Sequence, residues 1–185
     1  MSATPSTMLP LGTRAPDFRL PDVTTNRAVA LADVAKPHGL LVMFICAHCP
    51  FVKHVEPELA RLGHDYATRD IGIVAISSND VTTHPDDSPA GLKQQAENFG
   101  FVFPYLYDES QAVAHAYKAA CTPDIFLFDA DFRLVYRGQF DSSRPGNGIP
   151  VTGEDLRGAI DQVVAGKSVP TDQRPSIGCN IKWKE

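Results

Sequence analysis

The stretch Leu40-Leu41-Val42-Met43-Phe44-Ile45-Cys46-Ala47-His48-Cys49-Pro50 decides how the chain folds. Its first six residues are an unbroken apolar run, the pattern of a strand buried on both faces. Ile71 to Ile76 repeats that pattern after a helical stretch predicted over residues 50 to 65. Strand, helix, strand in that order predicts a parallel pair joined by a right-handed crossover. Cys46 and Cys49 therefore fall where the first strand passes into the helix.

Among four cysteines, a pair three residues apart arises by chance in roughly 6% of chains of this length, so spacing alone is weak. Position strengthens it. At the first turn of a helix, free backbone N–H groups and the helix dipole favour a thiolate, and the three-residue offset lets two sulfurs meet. His48, as a cation or an N–H donor, is expected to stabilise the thiolate further and favour the reduced state. Two bland readings stand beside this: a cysteine pair that fills the core, and half of a zinc site.

Composition limits the alternatives. The 185 residues carry a formal charge of −5 and are 43% hydrophobic, enough for one core and too long for a disulfide-stapled miniprotein. No Lys/Arg cluster offers a phosphate-neutralising face, which argues against nucleic acid, and the acidic balance disfavours an anionic membrane. No apolar run reaches the ~18 residues of a membrane span, and the start lacks a basic and then apolar leader pattern. The expectation is a cytoplasmic protein, where four cysteines are more often catalytic, metal-binding or inert than structural disulfides.

Along the chain, residues 1–16 hold Pro5, Pro10, Gly12 and Pro16 and read as a flexible lead-in. Phe18 to Leu20 and Ala28 to Leu31 flank a turn and predict an N-terminal hairpin. Ser77 to Ala90, with Pro85 and Pro89, reads as a surface excursion, and Asp86 and Asp87 beside His84 as a polar loop. Residues 91 to 99 predict a helix with Leu92, Ala96 and Phe99 on one face, and Ser110 to Tyr117 another. Ile125 to Phe128 and Leu134 to Tyr136 predict an antiparallel hairpin. Arg144 to Pro150 is a loop, after which Thr152 caps a helix carrying Leu156, Ile160 and Val163 and ending at Gly166. This divides the chain into a lead-in (1–16), one α/β domain (17–168) and a tail (169–185) carrying Cys179.

Four motifs together resemble the thioredoxin superfamily, in its AhpC/TSA or redoxin branch that spans peroxiredoxins and TlpA-type reductases. They are Gly12-Thr13-Arg14-Ala15-Pro16-Asp17-Phe18 with Leu20, the strand ending in Cys46-Ala47-His48-Cys49-Pro50, Phe103-Pro104 before Tyr107-Asp108, and Thr122-Pro123-Asp124-Ile125-Phe126-Leu127-Phe128-Asp129. A subgroup with a C-x-H-C-P motif and a C-terminal stretch like Pro175-Ser176-Ile177-Gly178-Cys179 is the most similar. The resemblance implies a thioredoxin-like fold, a central mixed β-sheet flanked by helices with the N-terminal hairpin as an extension. It also implies a cis Thr122-Pro123 peptide beside the cysteines, with Thr122 contacting an incoming substrate chain.

Departures from the family pattern favour disulfide exchange over peroxide reduction. Counting back from Cys49, the peroxiredoxin pocket's proline and threonine are replaced by Val42 and Cys46, and its arginine has no counterpart near Ala119-Ala120-Cys121. No acid lies on the strand before the dithiol, and Val52 stands where TlpA-type reductases place a Glu. Glu56, His54 and Asp124 are the candidate proton acceptors. Pro57 lies further along the helix than the family's helix proline.

The expected activity is thiol–disulfide exchange, an exposed Cys46 attacking a protein or small-molecule disulfide and a more buried Cys49 resolving the mixed disulfide. It requires no cofactor and a reductant such as a thioredoxin or glutathione system. One alternative is a peroxiredoxin-like antioxidant thiol peroxidase acting through Cys49 or Cys46. Another is a zinc or copper(I) module built from Cys46, Cys49, Cys121, Cys179 and His48. Cys121 reads as an additional thiol or a buried small hydrophobe, and Cys179 as a further resolving or relay thiol if the tail folds back. Arg144 and its loop are candidates for partner selection.

Overall fold

A computed structural model describes residues 3–185. In chain order the elements are β1 (Thr4–Pro5), β2 (Arg19–Pro21), β3 (Ala28–Ala30), α1 (Leu31–Val34), β4 (Gly39–Phe44), α2 (Pro50–Tyr66), β5 (Ile71–Ser77), α3 (Pro89–Phe99), β6 (Tyr105–Tyr107), α4 (Ala112–Ala116), β7 (Cys121–Thr122), β8 (Asp124–Phe128), β9 (Leu134–Tyr136), α5 (Glu154–Val164) and β10 (Ile177–Asn180). The central sheet runs β6-β5-β4-β8-β9, with β4, β5 and β6 parallel and β8 and β9 antiparallel to their neighbours. It is the expected mixed sheet, with the expected β2–β3 hairpin outside it.

Alternation along β4 builds the core. Leu41, Met43 and Ile45 enter one hydrophobic cluster, and Leu40, Val42 and Phe44 the other, so both faces of the strand are covered. On the first face lies α2, whose buried Val52, Val55, Leu59, Leu62 and Tyr66 recur at helical spacing, together with Leu156 and Ile160 of α5. Leu31 and Val34 of α1, Val113 of α4 and Phe18 cover the second.

One sheet edge gathers the functional loops. The chain leaves parallel β4 and β5 at the same end, and antiparallel β8 enters there, because Phe44 pairs with Asp124. The cysteine turn after β4, the excursion after β5 and Thr122-Pro123 before β8 must therefore converge. Pro50 opens α2 at its first position, where a missing N–H costs nothing, and Cys49 is the N-cap. Pro57 lies inside the helix.

Several expectations are corrected. From residue 3 onward the lead-in is tied down: Thr4 and Pro5 pair with Gly178 and Ile177, and Leu9 is buried. The tail supplies β10, which lies between β1 and β7, so residues 3–16 and the tail belong to the same folded body as residues 17–168. β6, β7 and β10 are too short to carry a periodic signal. Phe99, at the end of α3, is exposed rather than buried. The cap of α5 is Gly153 in the left-handed region, and the Asp141 carboxylate accepts from Thr152 N and Gly153 N at 2.7 Å, a role the local sequence assigned to Thr152.

Candidate active site

The two motif cysteines lie at the convergence point, and neither has measurable solvent contact. Cys46 is thus not the exposed thiol its sequence position suggested. Cys49 sits at the N-terminus of α2, with its sulfur against that of Cys179 and close enough to Cys46 for the two thiols to influence each other's ionisation. The Thr122 carbonyl lies 3.3 Å from that sulfur, and Thr122 Oγ1 lies 3.4 Å from the Cys46 sulfur. The Thr122-Pro123 peptide is cis.

Charge favours Cys49 as the thiolate. The hydrogen bond from Cys46 is the largest influence and outweighs burial, bringing the Cys49 thiol down to about 4. Cys46 moves the other way, raised by burial, by its hydrogen bond to Cys49 and by the Asp87 carboxylate. The two sulfurs titrate as a pair, with Cys49 held down and Cys46 held up.

Asp87 is the residue that sequence reasoning missed. Fully buried, its carboxylate accepts from Ala47 N at 2.8 Å, His48 N at 3.0 Å, His48 Nδ1 at 2.5 Å and Asn79 Nδ2 at 2.8 Å. Burial would raise this acid, but the His48 and Asn79 hydrogen bonds hold it below its ordinary range. A signal was available: the predicted parallel pair sends the loops after β4 and β5 to the same edge, which brings Ser77–Ser88 beside the cysteines.

His48 Nδ1 lies 3.7 Å from the Cys46 sulfur, but its N–H is directed to Asp87. The histidine therefore braces the turn rather than donating to the thiolate. Its other ring nitrogen, Nε2, is buried without a hydrogen-bond partner among the described residues, and the ring stands 4.5 Å from that of His84. Cys46, His48 and Asp87 are a possible metal-ligand trio by proximity. A nitrogen and an oxygen 2.5 Å apart share a proton, though; two ligands each about 2 Å from a tetrahedral zinc stand farther apart than that. Of the proposed soft-ligand set, Cys121 turns its thiol to the Pro123 carbonyl at 3.6 Å, with burial and Asp124 pushing it far up.

The three candidate proton acceptors separate. Glu56 is buried and raised by burial, and Gln95 links it at 2.6 Å to the Cys46 carbonyl at 3.0 Å. Tyr105 OH completes this chain by donating to Gln95 Oε1 at 2.9 Å. Asp124, pushed up to about 6 by burial, accepts from Ala120 N and sits against Cys121. His54 meets Ser143 Oγ at 2.7 Å. Arg144 directs its donors to Asp141, Ser143 and Gln139 in its own loop.

Cys179 is brought to the site by β10. Its sulfur lies 2.6 Å from that of Cys49, 130 residues away in sequence.

A dithiol at the end of a central strand, on the N-terminus of the crossover helix and beside a cis-proline, defines the chain as a thioredoxin-fold redox protein. The AhpC/TSA family model matches residues 11–137, and the chain belongs to that family. A solved structure of an uncharacterized conserved protein from Geobacillus kaustophilus is 55% identical, with a TM-score of 0.97 over 100% of this chain and 97% of that one. The thiol-disulfide oxidoreductase ResA of Geobacillus thermodenitrificans is 27% identical over 71% of this chain and 70% of its own. The thioredoxin domain of a thiol-disulfide oxidoreductase from Bacteroides vulgatus has a TM-score of 0.64 at 21% identity, over 84% of this chain and 99% of that one, and shows the shared fold.

Proposed function

We propose that the protein is a thiol–disulfide oxidoreductase whose working dithiol is Cys46 and Cys49. The observation that carries this reading is the gathering of both sulfurs at the α2 N-terminus on Thr122, which precedes the cis-proline, Cys46 at 3.4 Å from its Oγ1 and Cys49 at 3.3 Å from its carbonyl. Cys46 gives up its proton as it attacks a substrate disulfide, and the first substrate thiolate leaves. The Cys49 thiolate then attacks the Cys46 sulfur, closing the internal disulfide and releasing the second thiolate. The substrate gains two electrons, and the two product thiolates take up that proton and one from solvent. Both sulfurs are enclosed, so the Ala47-His48 turn must move outward before an external disulfide reaches them.

A second reading is supported by Cys49 itself: a thiolate at a helix N-terminus followed by Pro50 suits peroxide attack as well. Stopped-flow oxidation of the reduced protein by hydrogen peroxide and by a model disulfide, side by side, tests the two. Faster oxidation by the disulfide, loss of that reaction in Cys46→Ser and a trapped mixed disulfide in Cys49→Ser are the expected results. Peroxide oxidation that is faster and survives Cys46→Ser would favour the peroxidase and an antioxidant role.

We place the protein in the cytoplasm, supplied with electrons by a thioredoxin or glutathione system. A reducing compartment keeps such a dithiol available as a donor, in keeping with the chain's composition.

A further inference from the structure

Cys49 lies between two sulfurs, and only one of them belongs to the motif. Cys46 reaches it from the turn and Cys179 from β10, at 2.6 Å. Backbone pairing fixes the second contact: Cys179 is opposite Thr122 and Asn180 opposite Cys121, while Gly178 and Ile177 pair with Thr4 and Pro5 on the other side. Gly178 permits the close approach, since a Cβ there would lie 1.9 Å from the Thr122 carbonyl oxygen. Beyond the strand, Lys182 N donates to Asn79 Oδ1 at 2.8 Å, and Asn79 donates in turn to Asp87. The tail and the cysteine turn are therefore held by one network.

We propose that Cys179 is a third redox thiol, which takes Cys49 from the Cys46–Cys49 disulfide and returns Cys46 as a free thiolate. This rests on the dithiol reading above and adds to it a second, mutually exclusive disulfide. In the step, Cys179 loses its proton and attacks the Cys49 sulfur. The Cys49–Cys179 bond forms, the Cys46–Cys49 bond breaks, and Cys46 leaves with the electron pair and takes up a proton. No net electrons move, because the substrate disulfide has already accepted two when the first internal bond formed.

The charges at the site time this exchange. In the reduced protein Cys179 is pushed up to about 12, first by burial and then by its hydrogen bond to the Cys49 thiolate and that thiolate's charge, while Lys182 acts in the opposite direction. Oxidation of Cys49 removes its negative charge, and two of the influences that hold the proton on Cys179 go with it. Cys179 thus gains nucleophilicity once Cys49 has become an electrophile. Cys121, directed to the Pro123 carbonyl and raised by Asp124, stays outside the exchange.

The test is disulfide mapping by mass spectrometry of the full chain after oxidation with one equivalent of a small disulfide, acid quenching and alkylation. Wild type should contain both Cys46–Cys49 and Cys49–Cys179 linkages with Cys121 alkylated. Cys179→Ser should lose the second linkage and keep the first, and Cys46→Ser, which lacks the attacking thiol, should form neither. Wild type that carries Cys46–Cys49 with Cys179 alkylated throughout overturns the relay and leaves the exchange reading standing. Wild type in which neither Cys46 nor Cys49 forms a bond overturns both.

Discussion

Asp87 accepts the Nδ1 proton of His48 at 2.5 Å across 39 residues of sequence, and the same carboxylate takes the backbone N–H groups of Ala47 and His48. One buried side chain thereby sets the shape of the cysteine turn and places a negative charge beside Cys46. Asp87→Ala leaves two backbone donors and the Asn79 amide without their acceptor, and is expected to lower stability by about 2–4 kcal/mol. It should also lower the Cys46 pKa by removing that charge. Thermal unfolding and the pH dependence of Cys46 alkylation measure the two effects, and an unchanged Cys46 titration would contradict the electrostatic role. Because the folded-state pKa of Asp87 is depressed, its stabilisation is present above the unfolded value of ~3.9 and is lost as pH falls through the lower folded value. The acid limb of wild-type stability below about pH 4 should therefore flatten in the variant.

The charge on Cys49 is directly observable. Thiolate absorbance near 240 nm should show one of the four cysteines ionised well below pH 6, with a midpoint at about 4. Cys46→Ser exchanges the S–H donor for a hydroxyl at a different distance and should move that midpoint upward. A midpoint near the ordinary thiol value in wild type would mean that the proton resides on Cys49.

Gly178 is the point at which the tail can be loosened. Gly178→Ala puts a methyl group into the Thr122 carbonyl, backbone against backbone, and should cost about 1–3 kcal/mol as β10 moves away from β7. Alkylation of Cys49 and Cys179 should quicken together while Cys121 stays protected. Unchanged melting temperature and protection would show that the strand accommodates the methyl group by another route.

Asp124 has the opposite pH signature to Asp87. Its folded pKa, about 6, lies above the unfolded ~3.9, so its contribution is fully present below pH 4 and is lost as pH rises through 6. Its buried Oδ1, which has no hydrogen-bond partner among the described residues, agrees with a costly charged form. Asp124→Asn should remove a pH-dependent stability difference of about 2–3 kcal/mol between pH 4 and 7. Denaturant melts at those two pH values measure it, and equal pH dependence in wild type and variant would count against the assignment.

How much was legible follows from the range of each interaction. Leu40 to Ile45 and Ile71 to Ile76 announce buried parallel strands because a strand covered on both faces has no polar positions, and the cysteine pair at the strand–helix joint follows from adjacent residues alone. Short strands such as β7 and β10 have no period to read, and their pairing depends on partners more than 50 residues away. Asp87 looked like loop polarity, since its four donors come from Ala47, His48 and Asn79.

The order of residues alone determined the α/β architecture and the dithiol's place on the crossover helix, because local pattern and chain connectivity suffice for these; the proline that faces the dithiol was implied by the family resemblance. Tertiary structure decided which acid stands beside Cys46, what braces His48 and where the last cysteine lies. Those depend on buried electrostatics and on strand pairing between distant segments, and both are properties of the assembled sheet edge rather than of any neighbouring residues.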